Sequence, residues 1–143
     1  MIHQTRPKKF NPKFEGVGCF FEYNGKIVLL HRQSHKPEGN TWGIPSGKKK
    51  KNETINKAML RELYEETGYP ARFSELSHFK EIFVKFPSYD FIYHIFHRQL
   101  GILPKVKINP DEHKAFTWAT PDNALKMNLI EDLDNCIKLF YGF

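Results

Sequence analysis

A single, sharply bounded helix is the feature that most constrains how this chain folds. It follows a Pro-Ser-Gly turn, and Asn52 or Thr54 can cap its start with a side-chain oxygen. Gly68, with Pro70 just beyond it, marks its end. The pattern predicts a helix over residues 54–67.

Segments with the composition of β-strands lie on both sides of this helix. Before it, Asn24-Gly25 is a strong hairpin signal and predicts strands near 15–23 and 26–32, followed by a short apolar piece at 42–44. After it, two stretches rich in aromatic and β-branched residues flank the turn "PSY". They predict a second long hairpin, formed by "ARFSELSHFKEIFVKF" and "DFIYHIFHRQL".

The remainder of the chain adds one strand and two helices. The strand is expected near 111–119, a short helix near 121–127 and a longer helix near 130–140. The resulting order, β-β-β-α-β-β-β-α, predicts a mixed sheet flanked by helices. We therefore expect an α/β or α+β fold, with residues 1–143 forming a single domain.

Composition narrows the class of protein further. The chain is 40% hydrophobic and 15% aromatic, which is typical of a packed globular protein. Cys19 and Cys136 have neither metal nor disulfide spacing, so they are interpreted as buried thiols in a reducing compartment.

The sequence shows no membrane span and no signal peptide, and we expect a cytoplasmic protein. The net charge of +6 favours an anionic partner.

Three carboxylates share one side of the predicted helix. Glu62, Glu65 and Glu66 fall within an arc of roughly 100° and about 6 Å along the helix axis. Towards the helix start the same arc carries Ala58 and Met59, so the acidic patch should face the protein body. Further apolar residues on the other side predict a helix that is covered on two sides: Leu60, Leu63 and Tyr64.

Such closely spaced carboxylates repel one another, and a divalent cation is the usual compensation. Oxygen ligands without histidine or cysteine suit Mg²⁺ or Mn²⁺ better than zinc. Arg61 lies one helical turn before Glu65 and can orient that carboxylate by an i,i+4 contact. The alternative is a solvated face of mixed charge, which is common on helices. The Gly-Pro-Ser-Gly turn before the helix favours a ligand site, since it lets backbone atoms approach a ligand closely.

The same segment resembles the Nudix box, G-x5-E-x7-R-E-U-x-E-E-x-G-U, where U is aliphatic. The matching residues are Gly47, Glu53, Arg61, Glu62, Leu63, Glu65, Glu66 and Gly68, and Tyr69 takes the last aliphatic position. Tyr69 should alter packing more than chemistry. "GIPSGK" is not a P-loop, because only three residues separate its two glycines.

The resemblance to the MutT-like Nudix hydrolases implies an α/β/α sandwich around a mixed β-sheet. It also implies a hydrolase that cleaves a nucleoside diphosphate linked to another moiety. In that family pattern, Glu62, Glu65 and Glu66 bind Mg²⁺ or Mn²⁺ with the carbonyl of Gly47, while Arg61 orients Glu65. Glu53 is expected to support the loop and the start of the helix.

The base that accepts the proton from water is left open among three carboxylates. Glu62 and Glu65 are the first candidates, and Glu112 in the loop "NPDEHK" is the outside candidate.

Substrate contacts are less firmly marked by the sequence. Arg32, Lys48 and Tyr89 are the candidates, the first two for phosphate and the third for stacking on a base. Lys49 to Lys51 are interpreted as a solvated loop, and the histidines as structurally satisfied. A nucleoside triphosphate or dinucleoside polyphosphate is the favoured substrate. The alternative is a Nudix-like module that binds nucleotide or RNA without cutting it. If the protein is a hydrolase, the expected partner is a small nucleotide, and neither a nucleic acid nor a membrane is expected.

Overall fold

The computed structural model describes residues 1–143 and contains eight strands and three α-helices. The strands are β1 (Ile2–His3), β2 (Pro12–Tyr23), β3 (Lys26–Arg32), β4 (Trp42–Gly43), β5 (Ser46–Lys48), β6 (Ser77–Lys85), β7 (Asp90–Leu100) and β8 (His113–Ala119). The helices are α1 (Ile55–Thr67), α2 (Pro121–Ala124) and α3 (Leu133–Tyr141), with a 3₁₀ turn at Phe73–Glu75.

All eight strands belong to one mixed sheet. Its main order is β1-β6-β7-β2-β3-β4, with β5 paired to β2 and β8 paired to β3. The pair β2–β7 is parallel, whereas the other pairs are antiparallel. The β2–β3 hairpin turns at Asn24 and Gly25, both left-handed, and pairs along two residues of each strand. Beyond them the strands separate, and β5 pairs with the earlier part of β2, which places Gly47 opposite Val17.

The sheet has a hydrophobic core on each face. Consecutive strand residues point to opposite faces, and Phe20 accordingly packs in one core while Phe21 packs in the other. Leu133 and Ile137 of α3 belong to the first core, and Met59 of α1 belongs to the second. The sheet is thus layered between helices, and the predicted α/β/α sandwich around a mixed sheet is confirmed.

Most predicted elements are present, with shifted ends at the carboxyl-terminal side. The first hairpin and the helix predicted over 54–67 are confirmed. The second hairpin is also present, but its first strand begins at Ser77 and not at Ala71, because Phe73–Glu75 form a 3₁₀ turn. The last helix begins at Leu133 and not near 130, because Ile130 instead donates its backbone N–H to the Trp42 carbonyl. The short helix ends at Ala124, before the predicted 127.

One prediction about the buried faces of α1 was wrong. The helix buries Ala58, Met59, Leu63 and Thr67, but Tyr64 is 60% exposed. Helix α1 is therefore covered on one broad side only, and the turn at Phe73–Glu75 contacts it without enclosing Tyr64.

Cys19 and Cys136 are free and buried, as predicted. Burial raises the pKa of both thiols, that of Cys136 to about 12. None of the helices combines the length and the apolar character needed to cross a membrane. The cytoplasmic location stays a prediction.

Candidate active site

Helix α1 is held at both ends by the groups that the sequence indicated. The hydroxyl of Thr54 accepts a hydrogen bond from the backbone N–H of Lys57 at 3.2 Å. Gly68 adopts a left-handed conformation and donates its N–H to the carbonyl of Tyr64 at 2.8 Å. The helix lies against β5, so its acidic side faces the strand that contains Gly47.

Arg61 is the centre of the ion-pair network at this site. Its Nε and Nη2 donate to the two carboxylate oxygens of Glu53 at 2.7 and 2.9 Å, which is a bidentate pair. Its Nη1 donates to Glu62 at 2.7 Å, and its Nη2 also donates to the carbonyl of Lys48 at 3.0 Å. The guanidinium therefore connects the loop before the helix to the helix itself.

The predicted contact between Arg61 and Glu65 is present, but it is the longest of these contacts at 3.4 Å. The guanidinium is occupied by Glu53 and Glu62, and Glu65 remains 49% exposed. The expected supporting role of Glu53 has a direct structural basis, since Glu53 also accepts the backbone N–H of Lys50 at 2.8 Å.

The carboxylates at the site differ strongly in their pKa values. Hydrogen bonds from Arg61 lower the pKa of Glu53 to about 2. Burial raises the pKa of Glu62 despite the neighbouring guanidinium. Burial also raises the pKa of Glu66 well above its usual range, although the N–H of Ser46 donates to it at 2.8 Å. Glu62 and Glu66 are therefore partly desolvated carboxylates whose ionised forms lack full compensation.

Gly47 allows the closest approach between the loop and the helix. A Cβ atom at this position would overlap the carboxyl group of Glu62. Since the φ angle of Gly47 is not in the left-handed region, glycine serves here to leave room for the Glu62 carboxylate, which any Cβ atom would displace. The backbone of β5 therefore contacts two successive turns of α1: Gly47 lies against Glu62, and the N–H of Ser46 donates to Glu66.

The donor set fits a hard divalent cation, because it consists of carboxylate oxygens and a backbone carbonyl without histidine or cysteine. In the structure, no three His, Cys, Asp or Glu side chains converge on one point at metal-binding geometry. Glu62 is instead bonded to Arg61. The ligand set Gly47, Glu62, Glu65 and Glu66 therefore stays a prediction.

Glu112 and Arg32 lie close enough to influence this site. Glu112, in the turn before β8, is paired with Lys36 at 3.2 Å, and its charge raises the pKa of Glu66. Arg32 donates its Nε to the carbonyl of Pro37 at 2.9 Å, and its charge lowers the same pKa. Their predicted roles in base catalysis and phosphate binding stay predictions.

Lys48 and Tyr89 line a cavity of about 240 Å³ that adjoins Gly47. A third residue of this cavity, Phe14, was not predicted from the sequence. Its ring stacks on Phe91 at 4.9 Å, and the ammonium of Lys48 lies 4.5 Å from its centre. No motif marks Phe14, which lies just before the predicted start of its strand, and only the folded sheet brings it to the cavity.

His94, His97 and His113 test the prediction that the histidines are structurally satisfied, and two of the three are. His94 bonds Glu15 at 3.0 Å and His97 bonds Glu22 at 3.1 Å. His113 differs, because its buried Nδ1 has no protein hydrogen-bond partner and burial lowers its pKa to about 4. His113 is therefore neutral at pH 7, and the prediction that it is fully satisfied was wrong.

The residue that departs from the family pattern, Tyr69, acts in packing. Its ring meets Phe21 edge-on at 5.0 Å, and its hydroxyl donates to Glu75 at 3.0 Å. This arrangement agrees with the expectation that the substitution alters packing more than chemistry.

The fold and the site define a class of protein: an α/β/α sandwich whose glutamate-rich helix is docked on a glycine-containing strand. A family model described as "NUDIX domain" matches residues 12–140. The chain therefore belongs to the Nudix family, and the prediction of a Nudix pyrophosphohydrolase is confirmed.

Individual proteins give the same assignment. A CTP pyrophosphohydrolase of Escherichia coli (strain K12) is 30% identical over 119 residues, which cover 80% of this chain and 82% of that protein. An ADP-ribose pyrophosphatase of Bacillus subtilis (strain 168) is 35% identical over 106 residues, which cover 72% of this chain but 56% of that protein. The crystal structure of a MutT protein from Methanosarcina mazei Go1 shares the fold, with a TM-score of 0.76 and 20% identity over 92% of this chain and 94% of that chain.

Proposed function

We propose that the protein is a divalent-metal-dependent hydrolase, acting as a single domain, that cleaves the phosphoanhydride bond of a nucleoside diphosphate linked to another moiety. The observation that carries this proposal is the pair of desolvated carboxylates, Glu62 and Glu66, held against Gly47 and Ser46. A structural helix gains nothing from two partly buried, undercompensated charges, whereas a cation-binding helix requires them.

Glu62, Glu65, Glu66 and the carbonyl of Gly47 would hold the metal. Mg²⁺ or Mn²⁺ bound there supplies charge neutralisation of the diphosphate and a water of lowered pKa. The remaining chemistry belongs to the chain. Arg61 and Glu53 form the rigid bracket that joins the loop carbonyl of Lys48 to the helix, so that the carboxylates stay aligned with the loop.

Glu65 is the best-placed base among the three candidates. It is half exposed and only weakly held by Arg61, so one of its carboxylate oxygens can accept the proton of a water while the other would hold the metal. Glu62 is committed to Arg61 at 2.7 Å, and Glu53 is kept ionised by the same guanidinium, which makes it a weak base. Glu112 would reach the site only by releasing Lys36.

A nucleoside triphosphate is the favoured substrate, with a dinucleoside polyphosphate as the second choice. Lys48 is the last residue of β5 and lines the same cavity as Tyr89, so Lys48 can contact phosphate while Tyr89 contacts the nucleoside. Arg32 is proposed to attract the outer phosphates. The similarity to a CTP pyrophosphohydrolase over most of both chains supports the triphosphate.

The test is release of a mononucleotide from a panel of nucleoside triphosphates, dinucleoside polyphosphates and ADP-ribose, with Mg²⁺ or Mn²⁺. Activity should require the metal and fall at least about a hundredfold in Glu65→Gln and Glu66→Gln, because each removes a ligand charge without changing shape. Glu81→Gln, an exposed carboxylate on β6, is the matched control and should retain full activity.

Undiminished activity in both site variants would refute the proposal. RNA binding with a steep salt dependence, together with no turnover of any nucleotide, would favour the non-hydrolytic binding module instead.

A further inference from the structure

Two histidines from neighbouring strands meet on the sheet, apart from the carboxylates of α1. His78 lies on β6 and His94 on β7. The register pairs His78 with Phe96, so His94 is the diagonal neighbour of His78 on the same face of the sheet. The two rings approach each other through Nε2 of His78 and Nδ1 of His94, which are 3.3 Å apart. The β6–β7 pairing therefore brings two imidazole nitrogens together that are sixteen residues apart in the sequence.

Glu15 determines which nitrogen of His94 presents a lone pair. Nε2 of His94 lies 3.0 Å from a carboxylate oxygen of Glu15, and an ionised carboxylate can only accept a hydrogen bond. Neutral His94 therefore carries its proton on Nε2, and its Nδ1 directs a lone pair at His78. A carboxylate that accepts the far N–H of an imidazole in this way is the usual partner of a metal-bound histidine.

The spacing and the exposure of the two nitrogens suit a shared metal ion. Two ligands at about 2.0–2.1 Å from a tetrahedral ion lie about 3.3–3.4 Å apart, which agrees with the observed 3.3 Å. His94 is only 4% exposed, whereas His78 is exposed, so an ion can reach the pair from solvent on the His78 side. The ring of His78 also packs edge-on against Phe96 at 5.2 Å, which limits its rotation.

We propose that Nε2 of His78 and Nδ1 of His94 form a binding site for a divalent transition-metal ion of the Zn²⁺ class. Imidazole nitrogens suit Zn²⁺, whereas the carboxylates of α1 suit Mg²⁺ or Mn²⁺. When the ion binds, the proton on Nε2 of His78 moves to Nδ1 of the same ring by exchange with solvent, and both lone pairs then point at the ion. Solvent supplies the remaining ligands, because no third His, Cys, Asp or Glu side chain converges on the pair.

A bound ion would join β6 and β7 to β2 through Glu15. The backbone carbonyl of Glu15 accepts the N–H of Lys49 at 2.8 Å, so the partner of His94 is also bonded to the loop before α1. The histidine site shares no residue with the proposed Mg²⁺ site. Each of the two sites can therefore be tested without the other.

Calorimetric titration of Zn²⁺ into the Mg²⁺-saturated protein at neutral pH tests the site. His78→Gln should weaken Zn²⁺ binding by more than about tenfold, because it removes one of two protein ligands from an exposed position, where the fold tolerates the change. Glu15→Gln should weaken it about tenfold, because the amide lacks the charge that supports His94. His35→Gln, which changes an exposed histidine in the loop after β3, is the matched control and should bind Zn²⁺ as the wild type does.

NMR of the histidine side chains identifies the ligands and separates this site from the carboxylates of α1. In long-range ¹H–¹⁵N spectra, Zn²⁺ should shift the resonances of Nε2 of His78 and Nδ1 of His94, both in the wild type and in Glu66→Gln. Absence of Zn²⁺ binding by the Mg²⁺-saturated wild type, equal Zn²⁺ affinity of the wild type and His78→Gln, or Zn²⁺-induced shifts confined to other histidines would overturn the inference.

Discussion

Replacing Arg61 by lysine tests whether the guanidinium acts as a bracket and not merely as a positive charge. A lysine ammonium keeps the charge, but it is a single point and cannot reproduce the planar fork of arginine. It can contact Glu53 or Glu62, but it cannot span both oxygens of Glu53 while also bonding Glu62 and the Lys48 carbonyl.

The size of the effect follows from these contacts. The side chains of Arg61, Glu53 and Glu62 are 21%, 17% and 13% exposed, so solvent screens them only in part. Each charge-assisted hydrogen bond contributes about 1.5–3 kcal/mol when sheltered, and the variant loses at least two. Allowing for partial exposure and a compensating lysine contact, we expect a loss of about 2 kcal/mol in the free energy of unfolding. For a chain of this length that lowers Tm by roughly 6–8 °C.

Urea and thermal unfolding of the metal-free protein measure this loss, with Arg6→Lys as the control because Arg6 is exposed and rests only on Phe10. The difference between wild type and Arg61→Lys should also depend on pH. Since Arg61 lowers the pKa of Glu53 from 4.5 to about 2, the stabilisation is complete above pH 4.5 and declines as the pH falls towards 2. Equal stability of the two proteins at pH 7, or a difference in stability that does not depend on pH, would refute the proposed role of the Arg61 guanidinium in joining the loop to the helix.

Two further predictions concern Gly47 in β5 and Tyr69, the residue that departs from the family pattern. Gly47→Ala should lower kcat at least about tenfold while the protein stays folded, because the added methyl group displaces the Glu62 carboxylate. A kcat equal to that of the wild type would contradict the close approach of Gly47 to Glu62. Tyr69→Phe should lower the free energy of unfolding by about 1 kcal/mol, because it removes the hydrogen bond from the Tyr69 hydroxyl to Glu75, and kcat should be unchanged. A reduced kcat would show that Tyr69 contributes to catalysis as well as to packing.

The parts of the fold that follow local rules could be predicted from the sequence. Asn24-Gly25 specifies its turn through two left-handed residues, and Thr54 with Gly68 specifies the ends of α1. The short strand β5 could not be predicted, because its three residues pair only after β2 and β3 have separated. The start of α3 was shifted for a similar reason, since Ile130 bonds a distant strand residue.

The candidate site shows the same division. The spacing of Glu62, Glu65 and Glu66 placed them on one side of a helix. Helix α1 carries Glu62 and Glu66 to β5, whereas Glu65 remains half exposed. The choice of partners by Arg61 was not visible from helical spacing alone, because Glu53 lies outside the helix and reaches the guanidinium only through the fold of the loop. The hydrogen bond from the Glu131 N–H to Glu38 joins segments more than ninety residues apart, so no local pattern indicated it.

³¹P NMR of CTP incubated with the protein and Mg²⁺ tests most directly whether the carboxylates of α1 serve phosphoanhydride hydrolysis. We predict that the triphosphate signals give way to those of CMP and pyrophosphate, and that the spectrum stays that of CTP when Glu66→Gln replaces the wild type. Conversion of CTP at the same rate by both proteins would contradict it.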